Sequence, residues 1–255
     1  MISILIANFN NELYIKDAIN SVIDQTYTDW EIVIVDDASS DHSVGILNEE
    51  FSSHERIKII QNDHNLGCGG AKHRCLQSAS GDWCVFLDPD DALIPDALAK
   101  LSTEFVNRPQ YSLIHSTFYY CDNQLQKLKI ASWVGQVPSE SSNLVSDSIS
   151  HLCAINRKQY LCTEGIDPRL KSAVDKDLYY KMEEMGPTHF VSEPLYLYRH
   201  NEFGISQAEN LFKAAENHWS VILSAYKRRA INKHKLRISY TDLRVLRSKM
   251  LIKFA

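Results

Sequence analysis

The sequence predicts an α/β fold: a mostly parallel sheet flanked by helices, with a helical C-terminal extension. Three observations carry this. Short apolar runs of strand character alternate with segments whose apolar residues recur every three or four positions. The connections are short, as in βα units. Acid-rich segments follow the apolar runs directly, where α/β folds collect their ligands.

Ile2 to Ala7 is a nearly continuous apolar run, the pattern of a strand buried on both faces. Ile15, Ala18, Ile19, Val22 and Ile23 then recur at helical spacing, with Asn10 or Asn11 placed to cap that helix. Trp30 to Val35 is a second strand. Ser39 or Ser40 is placed to cap a helix with Val44, Leu47 and Phe51 on one face. Ile57 to Ile60 is a third strand, and Ala71, Cys75 and Ala79 mark the next helix. Trp83 to Leu87 is the fourth strand, and Pro95 suits the first turn of a helix bearing Leu98, Leu101 and Phe105. Ser112 to Tyr120 is a fifth strand. Between 121 and 170 the pattern fades, and Pro138 to Ser150 is Ser-rich and reads as a loop. Residues 174–185 are helical in pattern, and Tyr196 to Tyr198 is a short strand. Two helical faces follow from about 207: Leu211, Ala215, Trp219, Ile222 and Tyr226, then Leu243, Leu246, Met250 and Phe254.

At 255 residues, 44% hydrophobic and 23% charged, the chain is long enough for one full core and is neither disordered nor a disulfide scaffold in composition. The opening MISILIANFN is too short and too uncharged for a signal peptide, and no stretch approaches the roughly 20 apolar residues of a membrane span. The six cysteines include no CxxC pair, which favours free thiols in a reducing compartment. A cytoplasmic protein is the expectation. Residues 226–255 hold ten Lys or Arg against one acid, Asp242, so the rest of the chain is strongly acidic. Such a body needs metal or basic side chains wherever it binds a phosphate. The basic stretch (Lys227, Arg228, Arg229, Lys233, Lys235, Arg237) has two readings: a peripheral contact with anionic membrane at its inner face, or packing on the acidic body. Nucleic acid is not an expected partner, since the positive charge is local.

The strand ends carry the chemistry. Ala7-Asn8-Phe9-Asn10 follows the first strand, Asp36-Asp37 the second and Asp88-Pro89-Asp90-Asp91 the fourth. Carboxylates gathered at one sheet edge repel unless a cation neutralises them. Oxygen ligands with no nearby Cys or His pair favour Mn²⁺ or Mg²⁺ over zinc. Asn65-Leu66-Gly67-Cys68-Gly69-Gly70-Ala71-Lys72 is a Gly-rich helix entry with a cation close by, an arrangement able to hold a diphosphate.

These segments, SILIANFNNELYIKDAINSVIDQTYTDWEIVIVDDASSD and NLGCGGAKHRCLQSASGDWCVFLDPDD, together with Asp175-Lys176-Asp177-Leu178 and EPLYLYRHNEFGIS, resemble the family 2 inverting glycosyltransferases of the Rossmann-type GT-A fold. The resemblance implies a GT-A domain over 1–206, with a nucleotide-binding part to about 120 and an acceptor part over about 121–206. Residues 207–255 would be a basic helical extension. It implies transfer of a sugar, with inversion, from a nucleoside diphosphate sugar, UDP foremost, to a hydroxyl of a saccharide or lipid-linked acceptor in bacterial polysaccharide or lipopolysaccharide synthesis. Ala7, Phe9 and Asp37 would line the nucleobase, and Lys72 would face the diphosphate. Asp90 would lie near the ribose, and Asp91, Asp90 and Asp88 would form the DxD-type metal cluster. Asp175 would be the general base, with Asp177 its nearest rival. His151 would face the acceptor, and His200 the diphosphate or metal. The chain departs from the family in having Ala7-Asn8-Phe9-Asn10 where relatives often have PxYN, and in placing His200 directly after Arg199. Two other classes, a non-catalytic nucleotide-sugar-binding module and a sugar nucleotidyltransferase, fit less well. ANFNNE lacks the early basic Gly-rich loop of the latter, and Asp175 has no purpose in the former.

Overall fold

Apolar runs buried on both faces form the middle of the sheet, and the amphipathic segments cover it. In a computed structural model, residues 1–138, 141–200 and 211–231 are described. The elements are β1 (Ile2–Asn8), α1 (Ile15–Ile23), β2 (Trp30–Asp36), α2 (Ser43–Ile46, continued by a π-helical turn, Leu47–Phe51), β3 (Ile57–Gln61) and α3 (Gly67–Ser78). Then come β4 (Trp83–Phe86), β5 (Ala92–Leu93), α4 (Ala97–Asn107), β6 (Leu113–Cys121), β7 (Lys127–Ile130) and α5 (Asn143–Ser146). Finally come β8 (Cys153–Asn156), α6 (Arg157–Tyr160), α7 (Val174–Met185), β9 (Thr188–Arg199) and α8 (Leu211–Ile231).

The strand order is β3-β2-β1-β4-β8-β6-β9-β5, with β7 on β6. The four N-terminal strands are parallel, as their alternation with helices requires. The second half is mixed: β8 is antiparallel to both β4 and β6, whereas β9 runs parallel to β6. The fifth predicted strand, β6, is therefore separated from β4 by a strand from the segment where the sequence pattern faded. Alternate residues of the central strands feed two cores. Ile2, Ile4 and Ile6 pack with Ile19 of α1 and Leu98 of α4. Leu5 and Val33 pack with Cys75 of α3 and Met182 of α7.

Three local expectations differ. α1 begins after Tyr14 without a side-chain cap. Asn10 is used instead to tie two loops, its Oδ1 accepting from Ser40 N at 2.8 Å. Ser39 likewise caps no helix: its hydroxyl accepts from Asn10 N and donates to Asp36. The Ser-rich loop contains α5, where Ser142 accepts from Leu144 N.

The basic C-terminal stretch is partly turned inward. Val221, Ile222 and Ala225 of α8 pack on Tyr180 of α7. Arg229 is buried, with contacts of 2.7 Å to Glu183 and 3.0 Å to Glu184, and Arg228 makes a forked pair with Glu184. These two arginines belong to the packing reading and are not presented to a membrane. Lys233, Lys235, Arg237 and the second helical face lie outside the described residues. No helix among the described residues is long and apolar enough to cross a membrane, and all six cysteines are free thiols.

Candidate functional site

The C-terminal ends of β1, β2 and β4 open onto a cavity of about 750 Å³ that α3 and the start of α7 close from the side. Every residue to which the resemblance assigns a role lines it except His151, which stands just behind Asp88.

Asp36 and Asp37 end β2 but do different work. Asp36 is wholly buried, with Asn8 Nδ2 and the Ser39 hydroxyl on one oxygen and Ser39 N on the other. Asp37 accepts from Asn62 Nδ2 at 2.6 Å, Leu66 N at 2.8 Å and Gly67 N at 2.7 Å. It thereby fixes the entry to α3, and a carboxylate with about four acceptor positions keeps roughly one for a ligand. Ala7 and the half-exposed ring of Phe9 line the same end of the cavity.

The Gly-rich entry proves to be a packing device. A Cβ on Gly69 would stand 2.6 Å from Leu170 O and 2.7 Å from Asp167 O, so residues 167–171 lie against the first turn of α3. Gly69 N donates to Leu170 O at 3.0 Å. With the amides of Leu66 and Gly67 already given to Asp37, this segment does not offer the open row of N–H groups expected of an anion cradle.

Lys72 supplies the positive charge there. Its side chain is almost fully buried and points its ammonium to Asp175 Oδ1 at 2.7 Å and Asp88 Oδ1 at 3.5 Å. Burial alone would lower its pKa, but Asp175 and then Asp88 raise it well above the ordinary value, so Lys72 is charged. Asp175 sits in the first turn of α7, which Ala173 enters in a left-handed conformation (φ 58°).

The Asp88–Asp91 loop is held from below. Tyr196 of β9 accepts from Asp88 N at 3.1 Å and donates to Asp91 Oδ2 at 2.7 Å. Arg199 N donates to Asp91 Oδ1 at 2.7 Å. The Arg199 guanidinium, itself buried, donates to Asp90 O at 2.6 Å and Asp17 Oδ2 at 2.6 Å, binds Asn123 O, and lies 4.4 Å over the Tyr14 ring. Burial tends to raise the Asp88 carboxyl, yet Lys72 and then His151 leave it below its ordinary value. Asp91 goes the other way: burial and the charges of Asp90 and Asp88 push it well above the carboxylate range. Asp91 thus faces inward, while Asp88 and Asp90 are only partly buried at the cavity wall.

His151 Nε2 is 3.9 Å from Asp88 Oδ2, and its ring stacks on Tyr196. His200 is exposed at the cavity rim, its backbone N–H on Cys121 O. Tyr196 and Arg199, which the sequence reading gave no role, belong to the EPLYLYRHN segment. A Tyr and an Arg within a strand otherwise placed for the core were the available signal. Among the described residues no three His, Cys, Asp or Glu side chains converge as a ready-made metal cage. A small hard cation needs none, since it binds through one or two carboxylates, phosphates and water. The hard oxygens of Asp88 and Asp90 beside the acidic Asp91 fit that demand.

The family model described as Glycosyl transferase family 2 matches residues 3–160. Chondroitin synthase of Escherichia coli is 28% identical over 241 residues, covering 92% of this chain and 34% of the relative. The E. coli protein UDP-Glc:alpha-D-GlcNAc-diphosphoundecaprenol beta-1,3-glucosyltransferase WfgD is 40% identical over 124 residues, 48% of this chain and 47% of the relative. The chain thus spans between a third and a half of these two relatives. Among solved structures, S. aureus TarS 1–349 in complex with UDP-GlcNAc superposes with a TM-score of 0.72 at 20% identity, over 88% of this chain and 66% of that one. At that identity the likeness establishes the GT-A fold alone.

Proposed function

The chain belongs to glycosyl transferase family 2, and from that premise we propose that it moves a sugar from a nucleoside diphosphate donor, a UDP-sugar, to a hydroxyl acceptor with inversion at the anomeric carbon. The observation that carries this reading is the meeting of Asp175, Lys72 and Asp88 in one cavity, within 3.5 Å of a single ammonium. The UDP-GlcNAc bound to TarS and the UDP-Glc used by WfgD support UDP as the nucleotide. Chondroitin synthase and WfgD support a saccharide or lipid-linked acceptor and a role in surface polysaccharide synthesis. In this reading about 1–120 holds the nucleotide and about 121–206 the acceptor, and α8 belongs to an extension that follows them.

Each residue then has a task. Phe9 stacks on the base, Ala7 lets it approach, and the remaining acceptor position of Asp37 takes a base N–H. Lys72 balances charge that grows on the departing diphosphate. Asp175, with one oxygen held by Lys72, keeps its second for the acceptor hydroxyl. As the acceptor oxygen bonds to the anomeric carbon, the bond from that carbon to the phosphate oxygen breaks, and the hydroxyl proton passes to Asp175. Mn²⁺ or Mg²⁺ held by Asp88 and Asp90, with Asp91 anchoring the loop beneath them, would supply further positive charge at the diphosphate. His200 at the rim is placed for the same diphosphate and His151 for the acceptor side.

Calorimetric titration of UDP and GDP with and without Mn²⁺ tests the reading. UDP binding that needs metal and disappears in Asp90→Ala supports it; tight GDP binding transfers the donor to GDP-sugars; binding of neither nucleotide overturns it.

A further inference from the structure

From the reactive carboxylates an aromatic cluster leads out to the surface. His151, beside Asp88, stacks on Tyr196 with ring centroids 5.1 Å apart and the planes at 16°, and it stands 5.8 Å from Tyr198. The buried ring of Phe118 joins this pair to Tyr120 at 4.9 Å and to Trp133 at 6.2 Å. Trp133 is the outer end and is 48% exposed. It is nevertheless fixed: its Nε1–H donates to Tyr120 Oη at 3.1 Å. Lys176, the residue after Asp175, carries its ammonium 5.8 Å from the indole centroid and is tied to Asp147 at 2.5 Å. The hydrogen bond thus holds the indole in one orientation at the surface, where its face is open to a ligand.

Its position identifies the occupant. The cavity assigned to the donor includes Tyr198 and Asp175 but ends before Trp133. A group lying on Trp133 is therefore outside the nucleotide cavity, yet Tyr120 and Phe118 connect the indole to Tyr198 at the cavity wall, and Lys176 beside it follows Asp175 in α7. Displacement with inversion brings the acceptor from the side opposite the diphosphate. The C–H face of a pyranose is weakly positive and apolar, complementary to the negative face of an indole. The Lys176–Asp147 pair offers a donor and an acceptor for the hydroxyls around that face.

Resting on the glycosyltransferase reading above, we propose that Trp133, fixed by Tyr120 and flanked by Lys176 and Asp147, is the stacking platform for the pyranose ring of the acceptor. It positions that ring so that a hydroxyl meets Asp175. Residues 121–170 thereby contribute the acceptor subsite.

Saturation-transfer NMR with UDP and Mn²⁺ present tests this on methyl β-glycosides of glucose, galactose, N-acetylglucosamine, N-acetylgalactosamine and glucuronic acid. At least one glycoside should receive saturation on its ring protons from the wild-type protein. Trp133→Ala should reduce that transfer roughly five- to tenfold, the scale of one ring contact. Trp133→Phe should restore most of it, and UDP affinity by calorimetry should be the same in all three proteins. Saturation of no glycoside, or equal saturation in wild type and Trp133→Ala, overturns the platform. UDP that fails to bind the wild-type protein sinks the donor reading instead, and the calorimetry separates that result from a failed platform.

Discussion

Lys72 and Asp175 are 103 positions apart in the sequence, yet the ammonium of one lies 2.7 Å from a carboxylate oxygen of the other. The residue expected to neutralise the diphosphate and the residue expected to accept the proton are thus one ion pair. Asp88, at 3.5 Å, is the second partner of the same cation. In the proposed reaction a diphosphate entering this cavity would compete with Asp175 for Lys72, so donor binding and release of the base would be coupled through one ammonium.

Lys72→Met removes this charge while keeping most of the side-chain volume. UDP affinity should fall by about 10- to 100-fold, the scale of one charge-assisted hydrogen bond, and Lys72→Arg should recover part of it. Calorimetry decides the matter. Unchanged affinity in Lys72→Met would reduce Lys72 to a strut for Asp175.

Tyr196→Phe tests the support beneath the acidic loop. The lost hydroxyl leaves Asp88 N and Asp91 Oδ2 each without a partner. Stability should drop by about 1–3 kcal/mol in urea unfolding, and metal-dependent UDP binding should weaken as the loop loosens. A variant as stable as wild type would show that Arg199 holds the loop unaided.

His115 on β6 makes a prediction about pH. It is fully buried, and neither ring nitrogen has a hydrogen-bond partner among the described residues. Burial, with His189 and Lys176 adding to it, pushes its pKa down from 6.5 to about 3. Phe190 covers the ring. The unfolded chain therefore takes up a proton below about pH 6.5 that the folded chain refuses. The neutral histidine's contribution is complete above that pH and is lost progressively towards pH 3. His115→Leu should raise stability at pH 7.5 by about 1–3 kcal/mol and flatten its decline between pH 6.5 and 4. Denaturant unfolding at several pH values measures both, and a less stable Leu variant would mean that the imidazole is satisfied in solution.

The N-terminal half of the sheet was legible because β1, β2 and β4 are buried on both faces and acids follow β2 and β4 at once, as in Val35-Asp36-Asp37 and Leu87-Asp88. The mixed half was not. β8 is only Cys-Ala-Ile-Asn, too short to show a period, and β9 extends from Thr188 through Arg199 where only Tyr196 to Tyr198 had been read as strand. The site divides in the same way. Residue types at strand ends placed Asp37, Lys72, Asp88, Asp90 and Asp91 around one cavity. Their partners come from elsewhere in the chain: Tyr196 and Arg199 for Asp91, Asn62 and Gly67 for Asp37, Asp175 for Lys72. The glycines of α3 misled the reading because close packing and anion binding ask for the same residue, and only the carbonyls of Asp167 and Leu170 tell the two apart.

Whether Asp175 is the base of a sugar transfer is decided by UDP release from a panel of UDP-sugars, compared between wild type and Asp175→Asn. The amide can still accept from Lys72, so the cavity should keep its shape, and UDP should bind at least as tightly as to wild type because the competing charge is gone. The wild-type protein should release UDP, and the variant should lose roughly 10²- to 10⁴-fold of that rate, the usual contribution of a positioned base. A variant that releases UDP at the wild-type rate would contradict that role for Asp175.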